Sequence, residues 1–242
     1  ESDEIASFYL YPVDGAPVPD FVPGQFVSVR GRAGDGTIIQ PRQYSLSDAP
    51  NGDYLRLSIK RETGAADRPD GLISNWMHDG VDEGAIIELS PPFGDFRLHV
   101  DRDTPVVLIS GGVGLTPMVA MLNHLVQAQP ARQVAFVHGA RHRRVHALNN
   151  HVRNLAARHP KLSVTVFYEE IGATDRLGID YDQPGRVNLT AIQERVILPE
   201  ADYYLCGPVP FMKAKLTALQ GLGVPADRVH YEVFGSHVLA AA

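Results

Sequence analysis

The hydrophobic and polar positions of this chain follow two periods, and the change between them falls near residue 102. Before it, short runs rich in β-branched and aromatic side chains are separated by Gly, Pro, Asp and Asn. The pattern predicts strands over residues 5–13, 25–30, 43–46, 54–60 and 86–90. Several short strands with frequent turns read as an antiparallel β-barrel or sandwich. Only residues 72–78 suggest a helix in this half.

From Thr104 onward, buried-type strands over residues 106–109, 134–137, 164–167, 203–205 and 229–234 alternate with helical stretches over 117–127, about 147–157, a short one from 190, and 210–219. Strands that alternate with helices imply an α/β domain with a doubly wound parallel sheet. The short polar segment Asp101-Arg102-Asp103-Thr104-Pro105 is the natural boundary, which divides the chain into domains 1–102 and 103–242. No internal repeat or low-complexity segment interrupts either half, and the terminal alanines are expected to fray.

Length and composition narrow the classes. At 242 residues and 44% hydrophobic content, the chain can hold one large core or two of ordinary size. A net charge of -6 gives no general attraction for nucleic acid or an anionic membrane. A negative ligand must be drawn by local basic residues such as Arg42, Lys60 and Arg61. The single cysteine, Cys206, excludes an internal disulfide and any metal site built from several thiolates. It points to a cytoplasmic protein. No apolar run approaches the roughly 20 residues that span a bilayer, and no basic-then-apolar leader stands at the start. The first residue is Glu1 rather than Met, so a segment upstream is expected to have been removed or left out.

The chemistry concentrates in three places. The apolar strand Val106-Val107-Leu108-Ile109-Ser110 runs into Gly111-Gly112-Val113-Gly114-Leu115-Thr116-Pro117, with Thr116 placed to cap a helix that starts at Pro117. Glycines allow close approach of a pyrophosphate, and the free amides and dipole of the helix start attract its charge. A tight turn with no ligand would show the same cluster. A second strand end, Leu205-Cys206-Gly207-Pro208, supplies a rigid turn before another helix, so two strand ends flank one crevice. Cys206 itself reads as a small buried hydrophobe. After the second strand, Gly139-Ala140-Arg141-His142-Arg143-Arg144 occupies the place where the adenine ribose is usually recognised; an arginine there suits NADP, and surface arginines are also common, so NADH and NADPH both stay open.

The third place is the strand that begins Arg42-Gln43-Tyr44-Ser45. Its arginine can neutralise a phosphate, and its tyrosine can lie against an aromatic ring system. Alternation puts Arg42 and Tyr44 on one face and Gln43 and Ser45 on the other. A strand without a ligand could carry the same four residues.

Together with Ser58-Ile59-Lys60-Arg61-Glu62, Gly71-Leu72-Ile73-Ser74-Asn75 and Tyr231-Glu232-Val233-Phe234-Gly235, these motifs make the chain resemble the ferredoxin-NADP reductase superfamily over nearly its whole length. Within it, Glu1-Ser2-Asp3-Glu4-Ile5, residues 42–48, His146-Ala147-Leu148 and residues 231–235 look most like the reductase module of bacterial flavohaemoglobins. The resemblance implies that Arg42, Gln43, Tyr44 and Ser45 hold FAD, with Arg42 on the pyrophosphate and Tyr44 against the isoalloxazine. Lys60 joins the cofactor-binding set. Ser74 and Asn75, at the start of the first helix, would give amides or hydroxyl to the same pyrophosphate. The nucleotide phosphates would meet residues 112–117, with Cys206, Gly207 and Pro208 near the nicotinamide. Val233, Phe234, Gly235 and Ser236 would cover the flavin, and Glu232 is the family position thought to tune the flavin and haem potentials. Where the family commonly has tyrosine after Pro-Gly-Gln, this chain has Phe26, which can pack against the flavin without a hydroxyl contact.

The implied reaction is hydride transfer from NAD(P)H to the flavin N5, at a near-attack distance of roughly 3 to 3.5 Å. Tyr44, Ser45 and Glu232 would bias the flavin's charge, while the cofactors carry the chemistry. In flavohaemoglobins the electrons pass to the haem of an amino-terminal globin domain, which converts nitric oxide and oxygen to nitrate. The ten histidines here are scattered and build no haem site, so haem would belong to that partner alone. Two other readings are a free-standing reductase serving free flavin, ferredoxin or an oxygenase, and a non-catalytic NAD(P)H sensor.

Overall fold

The computed structural model describes residues 1–32, 36–64 and 69–234. It begins with two small antiparallel sheets. β1 (Ile5–Leu10) pairs with β4 (Leu55–Lys60), and β3 (Ile38–Ser45), β2 (Phe26–Arg32) and β5 (Glu88–Leu89) pair in that order. A bridge between Leu46 and Leu57 joins the sheets. The strands therefore follow the order β1-β4-β3-β2-β5 around a core that includes Val27, Val29, Leu46, Leu57 and Ile59. No ladder joins β5 back to β1 among the described residues, so the expected barrel stays open on one side.

The strand limits differ from the sequence pattern for local reasons. β1 stops at Leu10, and Gly15 N–H bonds the Pro12 carbonyl in the turn that follows. β3 starts at Ile38 and runs through Pro41, which has no N–H to give a ladder. Val29 pairs with Arg42 and Gly31 with Ile39, so Arg30 alone faces Gln40 and Pro41. This bulge absorbs the missing donor. Across β2 lies α1 (Leu72–Asp79), which adds Ile73 and Met77 to the core. Gly31 allows that approach, since a Cβ there would stand 2.8 Å from Ile73 Cδ1.

From residue 106 the chain builds a six-stranded, fully parallel sheet. Its members are β6 (Val106–Gly111), β7 (Val134–Ala140), β8 (Leu162–Tyr168), β9 (Gln183–Pro184), β10 (Asp202–Cys206) and β11 (Val229–Glu232), in the order β11-β10-β6-β7-β8-β9. Alternate residues of each strand serve opposite faces. Val106, Leu108, Phe136 and Tyr204 meet α2 (Leu115–Ala128) and α3 (Asn149–Arg158). Val107, Ile109, Val137 and Leu205 meet α4 (Gln193–Val196) and α5 (Val209–Gly221). The two-residue β9 was not foreseen from the sequence, because two residues carry no periodicity. Ile5, Phe96 and Leu98 from the antiparallel half join the α2 side of this core, so the halves share buried apolar surface.

Candidate functional site

Parallel sheets bind ligands beyond the carboxyl ends of their strands, where the strand order reverses. Here that point lies between β6 and β10, which run side by side with Cys206 opposite Ser110. The two glycine-bearing turns of the sequence therefore lie next to one another. β6 leads into a 3₁₀ turn over Gly112–Gly114, and α2 begins at Leu115. A Cβ on Gly114 would fall 2.3 Å from the Cys206 carbonyl oxygen, so only glycine lets the turn close against β10. Gly112 has a φ of 55°, a left-handed conformation in which glycine is unstrained.

Thr116 does not cap the helix. The 3₁₀ turn carries the chain directly into α2, two residues earlier than the sequence pattern placed it, and the Thr116 hydroxyl turns back to the Val113 carbonyl at 3.1 Å. Pro117 thus falls third in the helix, still within the first turn where its missing N–H costs nothing. No side chain caps the start of α2. The amides at this turn are therefore the groups that can meet a phosphate.

Cys206 is fully buried, and burial pushes its thiol well above its ordinary value, with the nearby Glu232 adding to the shift. It is a neutral packing residue. Glu232 ends β11 opposite Cys206. Burial raises its carboxyl from 4.5 to about 7, and its Oε2 meets no hydrogen-bond partner among the described residues. Val233 is half-buried and Phe234 exposed beyond the strand; Gly235 and Ser236 lie outside the described residues.

On the antiparallel half, the register pairs Tyr44 with Val27 and Arg42 with Val29, so Arg42 and Tyr44 share one face of the sheet. Tyr44 packs against the core from its edge, and burial raises its phenol to about 12. Arg42 is exposed and meets no carboxylate among the described residues; its Nη1 donates to the carbonyls of Gln40 at 3.3 Å and Pro41 at 3.1 Å. Its charge is available to a ligand. Ser45, on the opposite face with Gln43, is buried and its Oγ has no partner among the described residues. Phe26 shares the Ser45 side and packs on Phe93, ring centres 4.3 Å apart. The structure thus brings Arg42 to Tyr44 and Phe26 to Ser45, on two faces of one strand pair.

Lys60 stands 3.3 Å from Glu62 and 3.9 Å from Glu4, so its ammonium is already met by carboxylates. Ser74 accepts from Glu62 N–H at 3.2 Å and donates to the Gly71 carbonyl at 3.1 Å. Asn75 donates to the carbonyls of Glu62 and Gly71. Both side chains stitch the loop before α1, and no side chain caps that helix, so any anion there would be met by backbone amides. The arginines after β7 are ion-paired too: Arg141 with Glu4, Arg143 with Asp180 at 3.5 Å, and Arg144 with Asp3 at 2.7 Å.

Three features escaped the sequence. Phe211, on α5, packs beneath both turns, 3.0 Å from a Cβ on Gly111 and 2.8 Å from one on Gly207. A Phe soon after a strand-ending Gly-Pro was the signal available. Ser110 and His138 side chains bond at 2.9 Å, His146 stacks on His138 at 4.6 Å, and His146 bonds Tyr168 at 2.9 Å. Burial lowers His138 to about 4 and His146 well below its ordinary value, so this floor beneath the strand ends is uncharged at neutral pH. Asn123 of α2 bonds Asp48 of the antiparallel half at 2.6 Å. That contact joins positions 75 residues apart, which no local pattern reports. No helix among the described residues is long and apolar enough to cross a membrane.

The model of the oxidoreductase NAD-binding domain matches residues 108–216. A flavohemoprotein of Chromobacterium violaceum is 56% identical over 98% of the chain, which spans 58% of that relative. The flavohem-like FAD/NAD-binding domain of nitric oxide dioxygenase from Vibrio cholerae superposes with a TM-score of 0.85 at 39% identity, covering 97% of this chain and 94% of that one. A flavohemoglobin of Malassezia yamatoensis, solved with bound FAD and heme, superposes with a TM-score of 0.79 at 25% identity over 97% of this chain and 57% of its own.

Proposed function

The chain belongs to the flavohemoprotein family, and from that premise we propose that it is an NAD(P)H-dependent FAD reductase module, with residues 1–102 holding the flavin and 103–242 the nucleotide. The observation that carries this reading is the strand reversal between β6 and β10, where two glycine turns, a helix start without a side-chain cap and the half-buried Glu232 converge. The donor set fits the groups. A dinucleotide pyrophosphate needs backbone amides and close approach, which residues 112–117 offer. An FAD pyrophosphate needs a cation and a second helix start, offered by Arg42 and the first turn of α1. The partnerless Ser45 Oγ and Glu232 Oε2 suit the polar edge of a flavin ring.

FAD held by these residues would supply the capacity to take up a hydride and pass electrons on singly. The chain's own contribution is positioning. Tyr44 presents a neutral ring, Arg42 neutralises phosphate, and Glu232, which changes charge near pH 7, alters the field at the site. Neutral His138 and His146 leave the buried layer beneath the strand ends without charge. In the whole protein the electron acceptor is the haem of an amino-terminal globin domain, the overall activity is nitric oxide dioxygenation, and the site of action is the cytoplasm. This chain's 58% share of its relatives leaves room for such a domain.

The purified protein should be yellow, and anaerobic NADH should bleach it. Arg42→Ala and Tyr44→Ala should each lose most of their FAD, read as the flavin-to-protein absorbance ratio. Full flavin occupancy in both variants would place the seat elsewhere, and a colourless protein that takes up no added FAD would end the reductase reading.

A further inference from the structure

Hydride transfer between a nucleotide held on one half and a flavin held on the other depends on how the halves are locked. α2 makes the contact. Met121 lies so close to the antiparallel half that a Cβ on Gly24 would stand 2.7 Å from its Cε, and Phe96 and Leu98 share a cluster with Met118, Met121 and Leu122. Apolar contact resists separation but is non-directional, so it does not fix a sliding position.

Directional contacts also join the halves: His99 N–H donates to the Tyr204 hydroxyl at 2.9 Å, Arg132 donates to the His99 carbonyl at 3.1 Å, Arg141 and Arg144 pair with Glu4 and Asp3, and one more sits beside the α2 contact. Asn123, 4% exposed, donates Nδ2 to Asp48 Oδ1 at 2.6 Å, and its Oδ1 accepts from His151 Nε2 of α3 at 2.7 Å. Asp48 is itself held by the Tyr54 hydroxyl at 3.0 Å and by Arg56 at 3.3 Å, and Arg56 also donates to the Ser47 carbonyl. Turning the amide over would set its oxygen against the Asp48 carboxylate, so only one orientation satisfies all three groups. Each end of the bond is tied along the chain to one of the two seats. Asp48 follows Ser45 by three residues, and Asn123 follows Thr116 by two helical turns, roughly 10 Å along α2.

We propose that Asn123 is a positioning residue for hydride transfer: through Asp48 it fixes the glycine turn before α2 in register with the Arg42–Ser45 strand. The proposal rests on the reductase reading above. Asn123 touches neither cofactor seat, so it acts through the alignment of the halves, and a misplacement of about 1 Å in such an alignment costs on the order of 100-fold in rate.

The test uses the FAD-loaded chain and stopped-flow reduction by NADH under anaerobic conditions. Wild-type protein must first bleach; failure there overturns the reductase reading itself. In Asn123→Ala, the reduction rate at saturating NADH should fall roughly 10- to 100-fold per bound flavin, with FAD content and the NADH concentration for half-maximal rate nearly unchanged. Asp48→Asn, which keeps an oxygen facing Asn123, should reduce its flavin close to the wild-type rate. Asp48→Ala should slow it like Asn123→Ala, and the double variant should be no slower than either alone. A second readout is independent of turnover. Trp76, the one tryptophan, lies in α1 of the antiparallel half. Its fluorescence melt should coincide with the far-ultraviolet circular dichroism melt in the wild type and separate from it in Asn123→Ala. Should that variant not fold, Asn123→Gln, with its amide displaced by one methylene, carries the same comparison. Reduction at the wild-type rate per bound flavin, or losses that multiply in the double variant, would overturn the proposal, as would a lowered melting temperature with an unchanged rate.

Discussion

Glu232 ends β11 with one carboxyl oxygen buried and unpartnered, an arrangement that favours the protonated form. Its folded value of about 7 lies above its ordinary 4.5, so between those values the folded chain holds a proton that the unfolded chain has released. The contribution of this group to stability is complete below about pH 4.5 and is lost as pH rises to about 7. Glu232→Gln removes the titration. The drop in melting temperature from pH 5 to pH 8 should therefore be smaller in Glu232→Gln than in the wild type, and equal drops would show that the carboxyl is not held protonated. If the charge at this position also sets the field on the flavin, the reduction rate of the wild type should inflect near pH 7 and that of the variant should be flat there. The residue type and position of Glu232 were legible in the sequence, but its missing partner was not. Satisfaction of a buried oxygen depends on everything packed around it, and no motif encodes that.

At the scale of elements, what was legible and what was not divides by the range of the forces. The apolar runs of β6, β7, β8, β10 and β11 and the amphipathic face of α2 predicted themselves, because alternation and helical spacing are local. The start of α2 was misplaced by two residues because Pro117 and Thr116 look like a helix start, whereas the conformation is decided by Gly114 against the Cys206 carbonyl. That neighbour is far away in sequence. The same fact makes the turn brittle: the clash of a Cβ on Gly114 is with backbone at 2.3 Å, which no rotamer change relieves. Gly114→Ala should therefore destabilise the protein by about 1–3 kcal/mol. It should also slow NADH-driven bleaching while leaving FAD in place, since the antiparallel half is untouched. Chemical denaturation and flavin content together check this; loss of FAD with intact NADH binding would mean the two seats were assigned to the wrong halves.

At the scale of the whole molecule, the first residues of the chain reach the far half. Asp3 and Glu4 pair with Arg144 and Arg141, beyond the end of β7, where a 2′-phosphate on the adenine ribose would need a cation. The sequence showed the arginines and left the nucleotide open, because their acidic partners lie more than 130 residues upstream. With Arg143 also paired to Asp180, each of these three cations has a carboxylate, and NADPH must displace one to be recognised, whereas NADH need not. The expected preference is NADH. The pairs are surface ones, with Arg144 79% exposed, so the discrimination they impose is modest. Asp3→Asn combined with Glu4→Gln should lower the KM for NADPH by about two- to fivefold, the range set by surface pairs worth roughly 0.5–1 kcal/mol. The KM for NADH should stay as it was, and the gain for NADPH should shrink in 0.5 M salt as screening removes the freed charges' pull. An NADPH preference already present in the wild type would show that an arginine is free to leave its partner at no cost, and the ion pairs would then play no part in selection.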